Sequence, residues 1–196
     1  MSKLHFKYGA MNSGKSDMLI KTAYNYQEQG LKVLVVKPAI DTKGGQKITA
    51  RAGGSWRVDI LADESTDLAA EISERSKKQK LNCVLVDEAQ FLTAQQIDQL
   101  FLIAKQQNIS VICYGLRADF LTNTFTGSQR LFEIADNIEK IPTMCKCGSQ
   151  AEFNCRKVND KFVFSGSQVA IDGEGEITYD SLCGLCRLKA IDEARR

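Results

Sequence analysis

The run Gly9-Ala10-Met11-Asn12-Ser13-Gly14-Lys15-Ser16 fits the pattern G-x-x-x-x-G-K-[ST] and constrains the chain more than any other stretch. A loop of this kind works only between a strand and the first turn of a helix, where its backbone N–H groups converge on one anion. The flanks satisfy that condition. Leu4 to Tyr8 alternates apolar and polar residues, as a strand does, and Asp17 to Gln29 carries Met18, Leu19, Ala23 and Tyr26 at helical spacing before Gly30. The stretch from Gly9 to Ser16 is therefore read as the cradle of a nucleoside triphosphate. Its glycines let the backbone turn around the phosphates, Lys15 reaches the terminal phosphates, and the Ser16 hydroxyl holds Mg²⁺. An ordinary glycine-rich turn would not need both flanks.

The rest of the chain repeats the strand-then-helix alternation. Lys32 to Val36 is a nearly continuous apolar run, the mark of a strand buried on both faces. Residues 39 to 65 are mixed and glycine-rich, which predicts a loop or short hairpin followed by a strand near Arg57 to Leu61. A helix is predicted over Thr66 to Lys78, a buried strand over Asn82 to Val86, and a helix opened by the capping box Thr93 to Gln96. Ile109 to Cys113 predicts a further strand, and Leu131, Phe132, Ala135 and Ile138 predict a further helix. Alternation from residue 4 to about 141 makes a parallel sheet covered by helices the economical fold. Past Pro142-Thr143-Met144 the chain turns to short strands and turns, with four of its cysteines in two close pairs. Two domains are expected, 1–142 and 143–196, with a charged tail or short helix from 187.

The strand at 82–86 ends in Asp87-Glu88-Ala89-Gln90. Carboxylates at a strand end beside a phosphate loop lie where parallel sheets bind ligands. Asp87 is expected to orient Mg²⁺ and Glu88 to take a proton from an attacking water or a substrate hydroxyl. The chain has one histidine, His5, within the first strand, so carboxylate chemistry is the natural choice of base. Cys145-x-Cys147 and Cys183-x-x-Cys186 have the spacing of a closed, structural four-thiolate Zn²⁺ site. Cys83 and Cys113 read as core residues, and Cys155 as a strand residue. Seven cysteines with no export signal and no apolar run long enough to span a bilayer point to the cytoplasm, with no membrane partner. The charge balance, 26 basic against 24 acidic residues, does not suggest a nucleic-acid partner. Among the aromatics, Tyr114 and Phe125 read as packing, while Phe120 follows a strand end and is placed to stack on a planar base.

With these motifs placed, the chain resembles the type II thymidine kinases, most closely the bacterial members, over essentially its whole length. The matching stretches are Gly9 to Ser16, Lys37-Pro38-Ala39-Ile40-Asp41, Asp87 to Phe91, Tyr114-Gly115-Leu116-Arg117-Ala118-Asp119-Phe120, and Tyr179 four residues before Cys183. The resemblance implies an α/β fold, a RecA-like P-loop sheet with helices on both faces, and a small C-terminal zinc lobe carrying a lasso loop. It implies transfer of the ATP γ-phosphate to the 5′-hydroxyl of thymidine with Mg²⁺, Glu88 being the base. Asp41, Lys43 and the segment Asp87, Glu88, Ala89, Gln90 would contact ATP. Met11, Phe120, Gln168, Val169, Ala170, Ile171, Asp172 and Tyr179 would contact thymidine. A homotetramer and feedback inhibition by thymidine triphosphate (dTTP) are also implied. The chain departs from its relatives at Lys43, where they usually carry arginine, and in a lasso longer by about two residues between Ile171 and Tyr179.

A rival reading comes from the same residues. Asp87-Glu88-Ala89-Gln90 resembles the second motif of DEAx-type helicases, in which the glutamate activates water. Such motors pair two sheet domains, and this chain has room for one plus a small lobe. The segment 168–180 is acidic, which would repel a phosphate backbone.

Overall fold

The computed structural model describes residues 1–42, 44–51, 53–168 and 176–195. Strand β1 (Leu4–Tyr8) leads through the glycine-rich loop into helix α1 (Lys15–Glu28), followed by β2 (Val33–Pro38), a hairpin of β3 (Lys47–Thr49) and β4 (Ser55–Arg57), and β5 (Ile60–Ala62). Then come α2 (Leu68–Lys78), β6 (Cys83–Val86), a tight turn of 3₁₀ helix at Ala89–Phe91, α3 (Ala94–Gln106), β7 (Ser110–Gly115), α4 (Thr126–Ile134) and β8 (Asn137–Lys140). The chain continues with β9 (Phe153–Val158), β10 (Lys161–Val163), β11 (Ile177–Leu182) and α5 (Gly184–Ala194).

Among the described residues six strands form one sheet in the order β5-β2-β6-β7-β1-β8, every neighbouring pair parallel. The strand pleat sorts the side chains onto two faces. Leu34, Val36, Val84, Val86, Val111 and Cys113 pack against Leu68 and Ile72 of α2, Ile97 and Leu100 of α3, and Leu131 of α4. Val35, Cys83, Leu85 and Tyr114 point the other way, onto Leu19, Ile20 and Ala23 of α1 and Ile48, Ala50 and Val58 of the hairpin region. Helices thus cover both faces, as the unbroken apolar runs require. The order β6-β7-β1 sets the carboxyl ends of β6 and β1 on either side of β7, which brings Asp87 to the glycine-rich loop.

A second, antiparallel sheet has the order β10-β9-β11. Its apolar face carries Phe153, Cys155 and Leu182, which pack with Ala190 of α5 and with Cys145 and Cys183. Its other face carries Asn154, Arg156, Tyr179 and Ser181, paired in register as Arg156–Tyr179 and Asn154–Ser181.

One expectation is corrected. The helical spacing drawn through Ile138 fails, because α4 ends at Ile134 and Ile138 lies in β8, paired with Phe6. A parallel edge strand follows the helix within three residues, so the last apolar position belongs to a different element. Of the two readings of the C-terminal stretch, charged tail or short helix, the helix holds: α5 spans Gly184–Ala194, and Ala190 is buried on the second sheet. The capping box at Thr93–Gln96 forms with both of its hydrogen bonds.

Candidate active site

The loop at 9–16 is fixed from three sides. Gly9 donates its N–H to the Gly115 carbonyl at 3.2 Å, and a Cβ there would lie 2.7 Å from the Ile141 carbonyl oxygen, so no other residue fits. The Lys15 ammonium folds back on the loop, donating to the carbonyls of Ala10 (2.9 Å) and Gly9 (3.2 Å). It is buried, and the loss of water lowers its pKa, while Glu88 and Asp87 work against that. The remaining anchor is Met11. Its N–H donates to the Asn154 Oδ1 at 2.7 Å, and its carbonyl accepts from the Ser181 hydroxyl at 2.6 Å. Both backbone groups of this loop residue are therefore held by the polar face of the second sheet.

Asp87 follows β6 and is 4% exposed; its carboxylate accepts from the Ser16 hydroxyl at 3.1 Å. Burial, then the neighbouring Glu88 charge, pushes its pKa up to about 7. An oxygen pair held this close at a phosphate loop fits the hard-cation preference of Mg²⁺ for carboxylate and hydroxyl oxygen. Glu88 has φ of 48°, the left-handed region that a non-glycine residue adopts at a cost of about 1–3 kcal/mol. The strain is held in place by Gln90, which is buried, donates to the Glu88 carboxylate, and accepts from the Leu116 N–H at 3.0 Å. Gly127 of α4 closes the turn from behind, since a Cβ there would stand 2.4 Å from the Ala89 carbonyl oxygen.

These groups line a cleft of about 520 Å³ that includes Lys15, Ser16, Asp41, Arg51 and Glu88. Asp41 is paired with the buried Lys37 at 3.0 Å. A second cavity of about 90 Å³ is lined by Phe120, Phe125, Asn154, Gln168 and Tyr179. Met11, Phe91 and Leu116 line both, so the two spaces share a wall.

Phe120 is 1% exposed, and the Arg156 guanidinium lies over its ring, 3.8 Å from the centroid. Arg156 is buried too. It donates to the Tyr179 hydroxyl (2.9 Å), the Ser167 carbonyl (2.9 Å) and the Gln168 carbonyl (3.0 Å), and among the described residues it meets no carboxylate. One guanidinium thus binds Phe120, Gln168 and Tyr179 into a single wall. Lys43, Val169, Ala170, Ile171 and Asp172, also expected at the site, lie outside the described residues.

Sequence reading missed Asn154, Arg156 and Ser181. A signal existed: Asn154 and Arg156 alternate with Phe153 and Cys155, the period of a strand with one polar face. Nothing in the sequence says that this face is covered.

The sulfur atoms of Cys145, Cys147, Cys183 and Cys186 all lie within 4.8 Å of one another, with 3.6 Å between Cys147 and Cys183. A tetrahedral zinc with Zn–S bonds of about 2.3 Å sets its sulfurs roughly 3.8 Å apart. The four thiols therefore fit one such ion with little movement. Cys147 is held down to about 6 by the N–H and hydroxyl of Ser149 and by the neighbouring thiols. Cys155 is buried, which pushes its thiol up to about 11, and it belongs to the strand core.

Among the described residues no helix is long and apolar enough to cross a membrane. The sequence model of a family described as thymidine kinase matches residues 2–187. A thymidine kinase of Pasteurella multocida is 44% identical over 191 residues, covering 96% of each chain. A thymidine kinase of Haemophilus influenzae is 44% identical over 191 residues, covering 96% of this chain and 95% of that one. That of Photorhabdus laumondii is 39% identical over 198 residues, covering 100% of this chain and 97% of its own.

Proposed function

The chain belongs to the thymidine kinase family, and from that premise we propose that it transfers the γ-phosphate of ATP to the 5′-hydroxyl of thymidine, giving thymidine monophosphate, with Glu88 as the general base. The observation that carries this reading is the wall of Met11, Phe91 and Leu116 shared by the two cavities, with Glu88 on the larger one. The triphosphate takes the large cleft. The small cavity has room for a pyrimidine base, not for a whole nucleoside, since ligand pockets start at about 300 Å³. The sugar then lies at the shared wall, with its 5′-hydroxyl turned toward Glu88.

A primary hydroxyl is a poor nucleophile at neutral pH. A carboxylate that accepts its proton as the oxygen attacks typically contributes about 10²–10⁴-fold. Alignment of hydroxyl and phosphate by the shared wall, and the Lys15 charge at the phosphates, supply the larger part of the acceleration. Ser16 and Asp87 would hold Mg²⁺, which when bound neutralises phosphate charge. Zinc on Cys145, Cys147, Cys183 and Cys186 would have no open position and so a structural role, fixing the ends of the lasso segment 168–179 that faces the nucleoside. The division into 1–142 and 143–196, the RecA-like character of the sheet, the roles of Asp41, Lys43 and residues 169–172, a homotetramer, inhibition by dTTP and a cytoplasmic location are part of the same reading. They are supported by the motif agreement set out above.

ATP turnover measured with thymidine, with other nucleosides and with single-stranded DNA tests the assignment. Thymidine-dependent turnover yielding thymidine monophosphate is expected. Hydrolysis that ignores thymidine and is stimulated by DNA would sink it in favour of a motor.

A further inference from the structure

We propose that Arg51 is a second phosphate-binding cation of the donor cleft, making its contact with the terminal phosphate of the bound nucleotide. The inference rests on the reading of the cleft as an ATP site.

Among the described residues lining the cleft the acidic groups outnumber the basic ones, so each cation there bears on how a triphosphate is held. Asp17, Asp41 and Glu88 are acidic, and among the described residues Lys15 and Arg51 are the cations. Lys15 is already donating to the carbonyls of Gly9 and Ala10 and is pinned inside the loop. Asp17 and Asp41 are neutralised by Lys21 and Lys37. Arg51 alone among these has neither hydrogen bond nor ion pair with any described residue, although three carboxylates share its cleft. A guanidinium with no partner among the described residues, lining an anion site, can donate two parallel hydrogen bonds to phosphate oxygens.

The hairpin that carries it is docked on the body of the fold. Arg51 sits at the turn of the β3–β4 hairpin, directly after the buried Ala50, and the turn is closed by the Ala50 N–H on the Gly54 carbonyl at 3.2 Å. Ile48 and Ala50 are packed with Leu19, Ile20 and Ala23 of α1, and Trp56 of β4 meets Tyr24 of α1 edge to face at 4.8 Å between ring centroids. The hairpin is therefore docked on the same helix whose N-terminus forms the phosphate loop. The loop N–H groups and Lys15 would hold the phosphates from the loop side, while Arg51, carried on the hairpin, lines the same cleft and would meet the terminal phosphate from there.

The test compares Mg²⁺-dependent binding of a non-hydrolysable ATP analogue with binding of ADP, by calorimetry on the wild type, Arg51→Gln and Arg51→Lys, alongside steady-state kinetics. Loss of a charge-assisted contact to the terminal phosphate predicts that Arg51→Gln weakens the analogue by about 10- to 100-fold while ADP changes by less than about threefold. The KM for thymidine stays where it was, and Arg51→Lys recovers part of the loss. Unchanged affinity for the analogue with unchanged kcat overturns the proposal, and so does an equal loss for analogue and ADP. Should the wild type fail to turn over ATP with thymidine, the proposed activity falls. The analogue-versus-ADP comparison still decides the role of Arg51.

Discussion

The parallel sheet and the small antiparallel sheet present functional groups to two cavities that share a wall, and they hold those groups by different means. In the first, Val84, Leu85 and Val86 are fully buried on both faces, so Asp87 emerges at a point fixed by ordinary side-chain packing. In the second, the described buried apolar cluster is six residues, three of them cysteines. A core of that size supplies little stability by itself. Order there comes from the thiol cluster at one end and from a buried guanidinium on the polar face. On the proposed function, donor chemistry is built into the sheet, while acceptor recognition depends on a lobe whose four thiols fit a zinc ion and whose polar face Arg156 holds together. Met11 joins the two, since its backbone is gripped by Asn154 and Ser181.

The comparison can be broken most sharply at Glu88. Glu88→Gln keeps the shape of the side chain, so it should lower kcat by about 10²–10⁴-fold and leave both ATP-analogue affinity and the melting temperature near those of the wild type. Full activity in this variant would remove Glu88 from the reaction. At the other region, Cys183→Ser should release bound zinc, measured by elemental analysis. It should also speed amide exchange across 145–190 by more than about tenfold while β2, β6 and β7 keep their protection. Arg156→Lys retains the charge but not the planar fork that reaches Tyr179, Ser167 and Gln168. The expected result is a rise of about tenfold in the thymidine KM with the ATP KM moved less than threefold; equal rises in both would contradict the division of labour.

The smallest effect is one of stability. The Asp87 pKa is raised from 3.8 to about 7 in the fold. Between those values the native state keeps a proton that the unfolded chain has lost, so this carboxyl makes stability fall as pH rises through that window. Asp87→Asn should therefore raise the melting temperature of the ligand-free protein, more at pH 8 than at pH 5, while abolishing turnover. Melting curves at the two pH values check the sign.

How much of this was legible in the sequence follows the same division. The strand runs at 33–36 and 83–86, the capping box at Thr93 and the loop at 9–16 carry their structure locally, and all were readable. Ile138 misled because periodicity cannot register a change of element within a few residues. The strained turn at Glu88 leaves a trace only through Gly127, forty residues on, whose missing side chain makes room for the Ala89 carbonyl. The second sheet was least legible. Its partners are non-local: Asn154 lies 143 residues from Met11, and Ser181 lies 170 from it. A buried arginine with no carboxylate partner among the described residues also runs against what composition suggests, and two carbonyls, a hydroxyl and a ring converge on it instead.

The most direct measurement compares the full protein loaded with zinc and treated with a chelator, titrating thymidine and the ATP analogue separately into each. The account predicts that thymidine affinity falls by more than about tenfold while the analogue, held by the loop and Lys15, loses less than about threefold. Undiminished thymidine binding, or an equal loss for both ligands, would contradict it.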